Sequence, residues 1–347
     1  MESVRSSAMR GMTVSEMLPY TDAFAGVLGG GVLVQSDRPV GAKLHQRLRA
    51  VIEDVERTLS RFRADSTVAR IAEHEGSFAF PDWAEPMFAW YDELFAATDG
   101  RIDPGVGADL VHLGYAMSFD MLDAETHADQ RDFGGRSSDV HGRARWCADV
   151  RRRGAVLMTE RPVQLDFGAC GKGLCVDLLA AQLELAFGEE AAFVIDAGGD
   201  LCIHNLPHPM CIALEHPSDV SQAIGIAELA NGSFCASAPS RRHWHELAGR
   251  HVHHLLDAVA GEPVDDIAAS WVAVPSRDAA NPLLARFPAC PTMLADGLAT
   301  ALFCTPPADL GRGLTADRGV GGAFDYAVVD SAGRLQCSPG FPAAFFV

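Results

Sequence analysis

Two segments of the chain combine residue types that suit phosphate and metal chemistry. Asp166-Phe-Gly-Ala-Cys-Gly-Lys172-Gly-Leu-Cys-Val-Asp177 brings carboxylates, a lysine and glycines together. Leu294-Ala-Asp296-Gly-Leu-Ala-Thr300-Ala-Leu-Phe sets a carboxylate and a hydroxyl four residues apart, which places both on one face of a helix. Mg²⁺ takes hard oxygen ligands, an ammonium attracts phosphate, and glycine lets backbone approach a ligand closely. As an ordered pair the segments point to an enzyme that handles nucleotides. Each has a plainer reading: the Asp296–Thr300 pair can be a helix surface pair or cap, and the glycine-rich run can simply join a strand to a helix.

The run from Asp166 to Gly173 reads as strand end, tight turn and helix start, where N–H groups and Lys172 would both favour an anion. It is neither a Walker loop, since G-x-x-x-x-G-K-S/T spacing is missing, nor a G-x-G-x-x-G fingerprint. His253-His254-Leu-Leu-Asp257 offers a general base with a carboxylate nearby, or a zinc site without flanking cysteines, or loop decoration. Gly198-Gly199-Asp200 reads as a turn or as a close approach to ligand.

These residues need a frame. With 347 residues and 48% apolar content the chain can bury a large core, and its net charge of −18 argues against general nucleic-acid binding. Nine cysteines without a C-x-x-C pair fit reduced, buried thiols. No signal-peptide core and no apolar run of membrane-spanning length is present, so the expectation is a soluble cytoplasmic protein with no membrane partner.

Residues 1–20 read as a poorly ordered leader, followed by a single domain over 21–347 with a charged, variable connection at about 117–153. Gly31–Gln35 is β-prone, and Leu44, Leu48, Ile52, Val55 and Leu59 predict a helix over about 41–60. Further helices are expected at about 82–97 with Asp82 as N-cap, at 172–188 and at 295–304. Strand-like runs occur at 193–195, 210–214, 224–226, 271–274 and 326–329. Strands and helices mix without a βαβ repeat, which argues for an α+β fold with a largely antiparallel sheet.

Seven segments, in order, resemble the FAD:protein FMN transferase (ApbE) family. Leu59-Ser-Arg-Phe-Arg-Ala-Asp-Ser66 is similar to S-x-Y/F-x-x-x-S, and Thr98-Asp-Gly-Arg-Ile-Asp103-Pro-Gly-Val-Gly107 to T-D-G-x-F-D-P-T-V-G. Asp166–Asp177 resembles D-L-G-G-x-x-K-G-x-x-x-D, and Asp196-Ala-Gly-Gly-Asp200 resembles N-x-G-G-D. Cys235-Ala-Ser237-Ala-Pro-Ser-Arg-Arg242 looks like A-T-S-G-x-x-x-R, and His254-Leu-Leu-Asp257 with Gly261-Glu-Pro263 like H-I-x-D-P-x-T-G-x-P. Ala295–Phe303 is close to A-D-A-L-S-T-A-L-F.

The resemblance implies an enzyme that binds FAD and Mg²⁺, cleaves the pyrophosphate, transfers FMN to a Thr or Ser of an acceptor flavoprotein through a phosphoester bond, and releases AMP. It implies metal ligation by the Ala169 carbonyl, Asp296 and Thr300. It places Asp166, Lys172, Arg101, Ile102, Asp103 and Arg242 around FAD with Phe62 against its rings, and it makes His254 the base. The chain departs from the family pattern at Leu28-Gly-Gly30 for Met-Gly-Thr, Gly105 for Thr, Ala236-Ser237-Ala238 for T-S-G, and Ala258-Val-Ala260-Gly261 for P-x-T-G. An extra stretch lies around 280–291, and Phe62 stands where Tyr is common. The metal and phosphate elements match better than the acceptor surroundings. FAD hydrolysis to FMN and AMP, or FAD binding with weak catalysis, are therefore the alternatives.

Overall fold

The computed structural model of the chain describes residues 13–113, 143–239, 243–247, 250–275, 281–315 and 324–346. Its frame is an eight-stranded antiparallel sheet: β1 (Tyr20–Ala25), β2 (Gly31–Ser36), β3 (Phe193–Asp196), β4 (Asp200–His204), β5 (Gly232–Ser237), β6 (Ile267–Val274), β7 (Asp325–Asp330) and β8 (Leu335–Cys337). Numbered in this way, the strands lie side by side in chain order, so every crossover is an insertion between neighbours. Phe193 and Ile195 face one side with Val272 and Val274, whereas Val194, Trp271 and Ala273 face the other. This alternation is the period-two pattern of a sheet buried on both faces.

The first face carries the helices. Helix α1 (Ala42–Leu59) buries Leu44, Leu48, Ile52, Val55 and Leu59, the stripe read from the sequence, and it runs within one residue of the expected bounds at each end. Helices α2 (Glu85–Ala97), α3 (Gly171–Phe187) and α4 (Pro291–Cys304) lie in this layer, and the shorter helices Thr67–Glu73 and Pro307–Leu314 add buried residues to it. The second face is covered by a three-stranded sheet of Met210–His216, Asp219–Leu229 and Ala343–Phe345. The expected α+β class and antiparallel sheet are observed.

Several local expectations change. Asp82 lies inside a 3-10 turn, Asp82–Ala84, and is not the N-cap of α2. Of the leader expected over 1–20, residues 1–12 lie outside the described residues, while Thr13 and Glu16 close a capping box on the helix Val14–Met17, and Met17 and Leu18 are buried. Of the connection expected at about 117–153, residues 117–142 lie outside the described residues, while Trp146–Asp149 is helical and Val150–Arg153 is a strand. No strand leads directly into Asp166; residues 162–167 have no regular secondary structure and run into the turn before α3. Among the described residues no helix is long and apolar enough to cross a membrane, and all nine cysteines are free.

Helices α3 and α4 meet in a close joint. A Cβ on Gly173 would stand 2.4 Å from the Thr292 carbonyl oxygen and 2.8 Å from the Asp296 Cβ, so only glycine allows this approach. Asp177, one turn further on, accepts from the Thr292 and Met293 N–H groups at 3.0 and 2.8 Å and thereby closes the N-terminus of α4. On the sheet side, the Ser233 and Thr292 hydroxyls lie 2.8 Å apart, and Ser270 donates to the Ala299 carbonyl at 2.7 Å. Gly173→Ala should therefore destabilise the fold by about 1–3 kcal/mol through overpacking, read from the denaturant midpoint.

Burial pushes the Asp177 carboxyl up to about 7, against the amide donors that favour the anion. A carboxyl raised in this way gives its stabilisation fully below its unfolded value of 3.8 and loses it as pH rises through about 7. The stability advantage of wild type over Asp177→Asn should accordingly be greatest near pH 4 and shrink toward pH 8. Urea midpoints across that range measure it, and a constant difference would contradict the assignment.

Candidate functional site

The α3–α4 joint puts Lys172 and Asp296 together. The Gly173 N–H donates to Asp296 Oδ2 at 2.9 Å, and Lys172 Nζ lies 3.8 Å from Asp296 Oδ1. The ammonium also pairs with Asp200, which enters from the Gly198-Gly199 turn between β3 and β4. Both glycines have positive φ, 71° and 102°, so this turn does require glycine. Burial alone would lower the Lys172 pKa, but Asp200 and Asp296 outweigh it and hold the lysine above its ordinary value. Lys172 is thus a fixed cation with two carboxylates around it. Asp200 is wholly buried, and its Oδ1 has no hydrogen-bond partner among the described residues.

Thr300 follows Asp296 by about one turn of α4 and is half-buried; Ala169 sits half-buried in the turn before α3. Among the described residues no cluster of three or more His, Cys, Asp and Glu side chains gathers to hold a metal. The expected donors are instead one carboxylate, one hydroxyl and one carbonyl. That all-oxygen set, with the orphaned Asp200 Oδ1 close by, fits Mg²⁺, which keeps water or phosphate in its other positions.

Asp166 is fastened on both sides. Its Oδ1 accepts from the Gly168 N–H at 2.7 Å, its Oδ2 pairs with Arg61 Nε at 2.6 Å, and its own N–H donates to the Pro104 carbonyl at 2.7 Å. The Arg61 guanidinium lies over the Phe62 ring, 4.2 Å from its centroid. Arg61 was not among the residues singled out from sequence, and its only signal there was its place beside Phe62.

The Arg101–Asp103 segment divides by residue. Arg101 is half-exposed and pairs with Asp257 at 2.6 Å, while its carbonyl accepts from the Ala258 N–H at 2.9 Å. Ile102 is buried. Asp103 turns inward and accepts from the Gly105 and Trp146 N–H groups at 2.7 and 3.1 Å, and burial raises its pKa. Its carboxylate shapes the turn from within.

His254 is half-buried and sits between the strands Arg250–His253 and Leu256–Asp257. The C-terminal end of α4 reaches this loop, where Cys304 Sγ donates to the Leu256 carbonyl at 3.5 Å. Cys235, opening another motif, donates from Sγ to the Thr292 carbonyl at 3.6 Å and is paired across the sheet with Asp200. Arg242 lies outside the described residues. The seven segments singled out from sequence therefore join in one network of contacts centred on α4 and the turn before α3.

Comparison with known proteins identifies the family. The chain matches the model of the ApbE family over residues 28–321. It is 26% identical to the FAD:protein FMN transferase of Salmonella typhimurium over 244 residues, 67% of each chain. It is 24% identical to the enzyme of that name from Haemophilus influenzae over 271 residues, 75% of this chain and 72% of the other. Among solved structures, the ApbE protein from Thermotoga maritima superposes with a TM-score of 0.70 at 18% identity, covering 92% of this chain and 97% of that one. The flavin transferase ApbE from Vibrio cholerae gives 0.66 at 17% identity, with 92% and 98% covered. With fold, motif order and a model match spanning most of its length in accord, the chain belongs to the ApbE family.

Proposed function

We propose that this protein is a transferase that takes FAD as substrate, attaches FMN to a Thr or Ser hydroxyl of an acceptor flavoprotein, and releases AMP. The observation that carries this reading is the single network joining the seven motif segments, in a chain whose named relatives are FAD:protein FMN transferases. The acceptor oxygen forms a bond to the FMN-side phosphorus while the bond from that phosphorus to the AMP oxygen breaks. The hydroxyl proton passes to His254. Lys172, held as a cation by Asp200 and Asp296, offsets charge on the phosphates.

Mg²⁺, when bound, would spread the remaining pyrophosphate charge and polarise a phosphoryl oxygen, with the Ala169 carbonyl, Asp296 and Thr300 as the residues to hold it. Phe62 and Arg61 offer a flat aromatic and guanidinium surface toward the isoalloxazine. Arg101, Ile102, Asp103 and Asp166 form the adjoining wall, and Arg242 belongs to the same reading by its motif. Asp103 supports that wall through backbone contacts, since its carboxylate points inward.

Three measurements test the reading. Purified protein with FAD and a flavin-acceptor domain should release AMP with Mg²⁺ and not with EDTA. FMN recovered covalently on the acceptor means transfer, free FMN means hydrolysis by water at the same site, and bound FAD without AMP means a binding protein. His254→Ala should bind FAD normally and transfer about a hundredfold more slowly, as removal of a general base does; equal rates would remove His254 from the mechanism. Asp296→Ala should lose its response to Mg²⁺, and an unchanged metal titration would relocate the ligand set.

A further inference from the structure

Arg143, in a part of the chain to which no motif was assigned, is one of the most buried charges in the protein. Its side chain is 5% exposed, between Asp103 and Asp109, themselves 1% and 4% exposed. Nε lies 2.8 Å from Asp109 Oδ2, a close ion pair without hydrogen-bond alignment, and Nη1 lies 3.6 Å from Asp103 Oδ2. Nη2 donates to the Ala258 carbonyl. One guanidinium thus touches both the Arg101–Asp103 segment and the loop that follows His254. Burying it is costly unless it is paired, and here both neighbours are carboxylates.

Two of the departures from the family pattern meet at this side chain. A Cβ on Gly105, where the family has Thr, would come within 2.3 Å of the Ala144 carbonyl oxygen and 3.0 Å of Arg143 Nη1. The space of the missing threonine side chain is filled by Arg143 and Ala144. At Ala258 the family has Pro, which has no N–H to donate. Here the Ala258 N–H bonds to the Arg101 carbonyl and its carbonyl accepts from Arg143, so both polar groups of that peptide are held. Rigidity that proline would supply covalently is supplied by two hydrogen bonds.

We propose that Arg143 is a positioning residue of the site, fixing the Arg101–Asp103 segment against the loop after His254 in place of the family residues missing at Gly105 and Ala258. The inference rests on the reading above that these two segments border FAD and the acceptor hydroxyl. Arg143 itself touches neither substrate; it acts through the backbone of Ala258 and through Asp103. Lysine has a single charged point and cannot span two carboxylates and a carbonyl as a guanidinium does, so Arg143→Lys should restore the charge and not the geometry.

The test compares wild type, Arg143→Lys and Arg143→Met by amide hydrogen exchange and by steady-state AMP release from FAD. In Arg143→Met, exchange at residues 258–261 should speed up about tenfold or more while peptides of α3 and α4 keep their protection. FAD turnover per folded molecule should fall by about a hundredfold, the cost of small misplacements of reacting groups. Arg143→Lys should recover the melting midpoint more fully than either local exchange or turnover. A merely structural role would loosen all peptides together and leave the kinetic constants of the folded fraction unchanged; either result overturns the proposal. Should Arg143→Met fail to fold, Asp109→Asn/Arg143→Met, which removes one of the two carboxylates left facing each other, is read by the same criteria. If wild type itself releases no AMP, the functional reading fails, while loop exchange still decides whether Arg143 holds the loop.

Discussion

The structure depends on how closely α3 and α4 approach at Gly173. With no side chain there, the backbone of α3 reaches Thr292 and Asp296, and its N–H can hold the Asp296 carboxylate. Asp177 fixes the same joint from the next turn by accepting from the first N–H groups of α4. A shift of either helix would separate Lys172 from Asp296 and draw the end of α4 away from the loop bearing His254. The sheet beneath is a simple meander in chain order, and it owes its chemistry to what is inserted between its strands.

Electrostatics inside this joint answers a problem posed by composition. A chain of net charge −18 repels a polyanion such as FAD over most of its surface. On the proposed reading, Lys172 and Arg61, each paired with a carboxylate, would counter this locally as cations already held in place. Asp200 serves both as anchor for Lys172 and as a source of a buried oxygen without a partner. Such an atom is costly in a finished fold.

Much of this was legible in the sequence, for reasons specific to each element. The stripe on α1 was readable because one face of that helix is buried and the other exposed, whereas the meeting of Lys172 and Gly173 with Asp296 joins segments more than 120 residues apart. The start of α4 was not readable from periodicity, because residues 292–299 are buried on every side. Its true N-terminus is set by Asp177, 114 residues earlier than the first turn's Pro291. The inward turn of Asp103 and the pairing of Arg61 with Asp166 depend on long-range contacts that no local pattern encodes. Arg143 was hidden because its partners at 103, 109 and 258 lie on both sides of it in the chain and meet only in the fold.

The same contacts explain why the departures from the family pattern should be read together. Gly105 leaves room for Ala144 and Arg143; Ala258 supplies an N–H to Arg101 that proline would lack; Gly297, where the family pattern has Ala, lets Trp90 lie 2.4 Å from where a Cβ would stand. At Gly105 and Gly297 the space of the absent side chain is taken by Arg143 with Ala144 and by Trp90, whereas at Gly30 nothing stands within 4 Å. Closely packed interiors couple neighbouring substitutions, so restoring one family residue alone would clash with the partner that replaced it. At Gly105 and Ala258 the altered residues are therefore embedded in new contacts with Arg143 rather than left as gaps. On the proposed reading, the two hydrogen bonds at Ala258 would hold the Asp257–Gly261 loop while its altered side chains change the surface offered to an acceptor protein.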